Sequence, residues 1–131
     1  MSLRGSLNNG RVCFLIWVIL QMKLNKENER IVLSGHEAID ILSEIEFILI
    51  SLRNIARHYY TDASGEVSQK VRNAYCEETT QFIDKNNVTG RLSKVRGVIS
   101  ERFSHELGMD NMDDIEREME KIIYWEKPVD E

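Results

Sequence analysis

A chain of 131 residues that is 42% hydrophobic and 30% charged has material for one core and not two, and it is too apolar to be disordered. Its formal charge of −5 is uneven, because Glu106 to Glu131 hold ten acids against three bases. That end lacks the clustered Lys and Arg that a nucleic-acid backbone requires, and its field suits a basic protein.

The first feature in chain order is VCFLIWVIL, nine consecutive apolar residues at 12–20, preceded by Arg4 and Arg11. The run is half the length of a membrane-spanning helix, so no span is expected. Its charged-then-apolar order is that of an export signal, but QMKLNKENER follows without a small-residue cleavage site. A buried strand or helical turn, a degenerate targeting segment, and a native start at Met22 all stay open. Residues 1–33 are therefore set apart as an apolar segment of uncertain structure with a polar lead-in, and 34–131 as a helical domain. Cys13 and Cys76 supply neither a disulfide framework nor metal-ligand spacing, which points to a reducing, cytoplasmic setting.

Ser34 and Glu37 have the spacing of a capping box. After them Ile41, Ile45, Ile48, Leu52, Ile55 and Tyr59 recur at alternating steps of four and three, which predicts one long helix. Leu42, Leu49 and Ala56 widen this stripe, and Phe47 and Ile50 lie roughly opposite. The helix is therefore expected to be central and covered on two faces. Thr61 to Gly65 read as a turn, and a second helix is predicted from about Glu66 to Asp84, broken by Asn86 and Asn87. A third is predicted from Val88 to Leu107, with Gly108 as a left-handed residue past its end. A short fourth, capped by Asp110, should turn Met112, Ile115, Met119, Ile122 and Ile123 inward and stop before Pro128. The fold class is thus all-α, an antiparallel bundle of about four helices.

Several patterns bear on chemistry. Arg53-Asn54-Ile55-Ala56-Arg57-His58 resembles the RN-x-x-x-H signature of HEPN ribonucleases, small helical domains in which Arg and His cooperate across a dimer to cleave RNA. By position the resemblance makes Arg53, Asn54 and His58 the catalytic candidates, with His moving protons and Arg neutralising a phosphorane. Arg53, Asn54, Arg57 and His58 also suit the solvated, cationic end of a helix, the more ordinary reading. Glu78 falls on the apolar stripe of the second helix, where a carboxylate calls for a partner such as Arg53, Arg57 or His58. His36-Glu37 lacks the second His of a zinc motif, and Glu101 with His105 is a lone helical pair, so no metal and no cofactor are expected. Asp110 to Asp114 fail calcium-loop spacing.

The last helix carries Asp113, Asp114 and Glu120, read as lying opposite its apolar stripe, and Tyr124 and Trp125 follow among acids. Aromatic residues beside carboxylates are what an anchor for a basic partner looks like. These five residues are the candidate partner-binding set, although the acids also suit a helix N-terminus and Trp125 the end of a bundle. The stretch from Phe82 to Pro128, above all LGMDNMDDIEREMEKIIYWEKP, is similar in character to small acidic helical immunity proteins of bacterial contact-dependent and other polymorphic toxin systems. That resemblance implies a non-enzymatic, stoichiometric inhibitor of a cognate toxin, often a basic nuclease, with no nucleic acid as its own partner.

Overall fold

The structure is a computed structural model, and it describes residues 24–60 and 67–129. The apolar run at 12–20, Cys13, Met22 and the turn at 61–65 lie outside the described residues. Among the described residues there are four α-helices, three of them long: α1 (Gly35–Tyr60), α2 (Gln69–Lys85), α3 (Val88–Ser100) and the short α4 (Asp114–Met119). A single 3-10 turn, Lys26–Asn28, precedes them, and there is no strand among the described residues. No helix among them is long and apolar enough to cross a membrane. The chain divides into two compact units, residues 32–102 and a second built from 24–31 together with 103–129.

In the first unit the capping box forms as its spacing predicts. Ser34 Oγ accepts from the Glu37 N–H at 3.0 Å, and Glu37 Oε1 accepts from the Ser34 N–H at 3.0 Å. Glu37 also pairs with Arg102, so the start of α1 is tied to the residue just past α3. Glu44 meets Arg91 at 2.9 Å, and the Arg91 guanidinium lies over the Phe47 ring. Phe47 touches Phe82, while Tyr59 and Tyr60 touch Tyr75. These pairs run in opposite directions along the two partners. The helices α2 and α3 are therefore both antiparallel to α1, with α2 against its C-terminal half and α3 against its N-terminal half.

The break between α2 and α3 is local and steric. Asn87 takes a left-handed conformation with φ 48°, a region that costs most L-residues and that Asn tolerates. Asn86 reinforces the stop by donating its side-chain amide to the Phe82 carbonyl at 3.0 Å. Asn87→Ala is expected to lower the stability of this unit by about 1 kcal/mol, and Asn87→Gly to leave it within a few tenths. Thermal melts of the two variants check this; equal melting temperatures would contradict the steric account.

The unit's core is thin. Ile41 and Ile48 of α1 and Val88 and Val95 of α3 are buried, and no side chain among the described residues is fully enclosed. Phe47 touches Phe82 and Arg91 but stays exposed, as do Ile50 beside it and Ile45 of the stripe, so α1 is not covered on two faces as its pattern predicts. Leu42 and Leu49, expected to widen the buried stripe, are instead 57% and 46% exposed, and Ile39 beside them is 61% exposed. The reason is geometric: α2 and α3 lie end to end along one side of α1, so neither remains to cover that flank.

The three later helices depart from their sequence-read limits. Ser68 caps α2 by accepting from the Val71 N–H, which moves its start to Gln69. Helix α3 ends at Ser100 and not at Leu107, because both backbone groups of Ser104 bond to the Asn28 side chain and are lost to a helical ladder. Gly108 is therefore no helix terminator. Its N–H closes a small loop onto the Met112 carbonyl at 2.8 Å, and a Cβ on it would come within 2.7 Å of the Arg117 guanidinium. The left-handed residue here is Asn111, with φ 61°.

Candidate partner-binding site

The acidic end is built around carboxylates that face inward. Asn28, Asp113 and Asp114 are the buried residues of the second unit, at 3%, 6% and 6% exposure. Asp114 Oδ2 accepts from the Asn25 N–H at 2.6 Å and the Asn28 amide at 2.7 Å, and its Oδ1 accepts from Arg117 at 2.9 Å. Asp113, and not Asp110, caps α4, with Oδ1 accepting from the Glu116 N–H at 2.8 Å. Its other oxygen lies 2.9 Å from His105 Nδ1. Asp110 instead takes the fork of Arg117 at 2.7 and 2.8 Å, and the same guanidinium reaches the Met112 carbonyl. A single group that donates to two carboxylates and a carbonyl, one of the carboxylates through a two-pronged fork, is what the five N–H donors of Arg supply.

The electrostatics follow from these bonds. The Arg117 fork holds the Asp110 carboxyl well below the usual carboxylate range, and Asp110 raises Arg117 in return. The Glu116 N–H, then His105, lower Asp113. Burial pushes Asp114 up, but the bonds from Asn28, Asn25 and Arg117 together outweigh it and its pKa is lowered. A carboxylate whose folded pKa is depressed stabilises the fold above its unfolded value, and that contribution is lost as pH falls through the folded one. The second unit is accordingly expected to hold its stability from neutral pH down to about pH 4 and to lose it progressively below. Amide exchange at Asn25 and Glu116, whose N–H groups bond to these carboxylates, measures this. Protection unchanged at pH 2.5 would contradict it.

This placement divides the candidate set. Asp113 and Asp114 do not lie opposite an inward stripe; their oxygens are taken up by the fold itself. The apolar stripe is likewise shorter than its spacing implies, because α4 stops at Met119. Met112 and Ile115 are half-buried, Met119 and Ile122 are exposed, and Ile123 is almost wholly so. Glu120 is exposed at the end of α4. Tyr124 and Trp125 follow on a segment without regular structure, 65% and 83% exposed, with Glu126 and Lys127 next to them. The buried acids thus form the base, and Glu120, Tyr124 and Trp125 are presented from it. Asn28, which holds this base together, has no signature in the sequence apart from lying in a polar lead-in.

Comparison with family models, with curated proteins and with solved structures finds no match. The chemistry must therefore be read from geometry alone. Arg53, Asn54 and His58 are all exposed on the last turns of α1. Five residues separate Arg53 from His58, which on a helix turns their side chains about 140° apart. His58 stacks edge-on against Tyr59. Asn54 lines an open groove of about 390 Å³ between α1 and α2, together with Ser51, Glu78, Gln81 and Lys85. Glu78 is exposed at this groove, so water solvates the carboxylate that its stripe position marked as needing a partner. Among the described residues no three His, Cys, Asp or Glu side chains converge as a metal set.

Proposed function

We propose that the chain is a non-enzymatic binding protein, an immunity protein that neutralises a cognate basic nuclease toxin by stoichiometric binding. The observation that carries this reading is the exposure of Tyr124 and Trp125 beside acids, on a unit in which Asp110, Asp113 and Asp114 are already taken up by internal bonds. Large rigid aromatics left mostly exposed among the described residues are what binding hot spots are made of. The acids around them, in a terminal region carrying ten acids to three bases, speed encounter with a basic surface and repel nucleic acid.

The test is protection. Cells expressing the chain are challenged with any basic nuclease toxin encoded in a neighbouring reading frame, and survival is scored together with a one-to-one complex by calorimetry. Absence of protection and of a complex sinks the reading. In parallel, the wild type is assayed for cleavage of several RNAs against the Arg53→Ala/His58→Ala double variant. Cleavage that this variant abolishes would replace the binding reading with a HEPN-like ribonuclease.

A further inference from the structure

The open flank of α1 carries a second pattern that the buried stripe does not use. Ile39, Leu42, Glu46, Leu49, Arg53 and Ala56 follow one another at steps of three and four, so they line one seam about 26 Å long. All but Ala56 are exposed, and neither Glu46 nor Arg53 has an ion-pair partner among the described residues. The seam is self-complementary about Leu49. A negative side chain lies three residues before that leucine and a positive one four residues after it. A large apolar residue, Leu42, lies seven before, and a small one, Ala56, seven after.

We infer that α1 pairs with α1 of a second copy of this chain, antiparallel, about a two-fold axis at Leu49. That operation sets Leu49 against its own mate, Leu42 over Ala56 of the other copy, and Glu46 beside Arg53 of the other copy, each contact occurring twice. Large over small lets two helices approach closely, and the paired charges fix direction, since a parallel pairing would set like charges together. A second copy is the occupant because the seam's charges and size steps complement themselves under this operation, so one surface satisfies both partners at once. The dimer also shields Ile39, Leu42 and Leu49, which the thin core leaves wet.

Sedimentation velocity on the full chain reads this directly. The wild type is expected to be a dimer at micromolar concentration. Glu46→Arg and Arg53→Glu, both surface changes, each set like charges across the seam and should weaken it by tenfold or more. Mixing the two single variants restores both pairs and should restore a dimer, as should the double exchange within one chain. In a background with both native cysteines changed to Ser, Leu49→Cys should cross-link to a dimer on oxidation and Leu42→Cys should not. A wild type that stays monomeric to about 100 µM, or single variants that do not re-associate on mixing, overturns the proposal. Efficient cross-linking through Leu42→Cys overturns the antiparallel register.

Discussion

Asn28→Asp, nearly identical in volume to the native residue, is expected to destabilise the unit of residues 24–31 and 103–129 by about 3 kcal/mol. The side-chain amide donates to Asp114 at 2.7 Å and to the Ser104 carbonyl at 3.2 Å, while its oxygen accepts from the Ser104 N–H. A carboxylate retains only the last of these. It also brings a second negative charge against Asp114 at a position that water scarcely reaches. Asn28→Ala removes the same bonds without adding charge and should cost less, about 2 kcal/mol. The order of the two variants is therefore opposite to their likeness to the native side chain. Amide exchange at Ser104 and Asn25 measures both losses, and the α1 amides of residues 32–102 serve as an internal reference. Equal protection in Asn28→Asp and wild type would remove the buried polar cluster as the basis of this unit. Asp114→Asn added to Asn28→Asp relieves the repulsion and should recover part of the loss, a coupling that a merely additive pair would lack.

If the proposed toxin complex forms, Trp125→Ala is expected to weaken it about 30-fold or more while leaving the melting temperature of the free protein unchanged. The indole is 83% exposed, so its removal takes away little from the fold. Tyr124→Ala should act in the same direction and less strongly. Charge reversal at Glu120 should lower the association rate, with an effect that fades as salt is raised, because an exposed charge acts through the long-range field. Substitution at Asp113 or Asp114 should reduce binding only together with loss of structure, since those oxygens face Glu116, His105, Asn25, Asn28 and Arg117. Calorimetric titration of each variant distinguishes these classes. Full affinity in Trp125→Ala would remove the aromatic segment as the anchor.

The helices of the first unit were legible because their causes are local. Ser34 and Glu37 cap α1 through neighbours three residues apart, and Asn86 and Asn87 stop α2 by their own backbone and side chains. Where the reading of the sequence went astray, the cause lies far along the chain. Nothing near Ser104 announces that a side chain 76 residues earlier takes its N–H and ends α3 early. Likewise Asp110 has the letters of a helix cap, but Arg117 claims it, and the cap passes to Asp113. Periodicity records which residues share a face of a helix; it does not record whether a neighbour covers that face. Leu42 and Leu49 belong to a stripe by spacing and to solvent by topology. In the candidate site, the aromatic pair was visible as an anomaly of composition, whereas the role of Asn28 was not, because a single amide carries no pattern.

The bond between Asn28 and Ser104 also sets an order of events during synthesis. Residues 32–102 can assemble as they emerge, since α1, α2 and α3 adjoin one another in sequence. Asn28 must wait for a residue made 76 positions later, a delay of about 4–15 s at ordinary translation rates of roughly 5–20 residues per second. Its second partner, Asp114, arrives later still. The aromatic segment after α4 therefore emerges only when the two strands of sequence that form its base are both available. A ribosome that stops short of Asp114 releases a chain whose lead-in is unlatched, a state open to proteases and chaperones. Closure of this small polar knot is thus among the last steps in completing the fold.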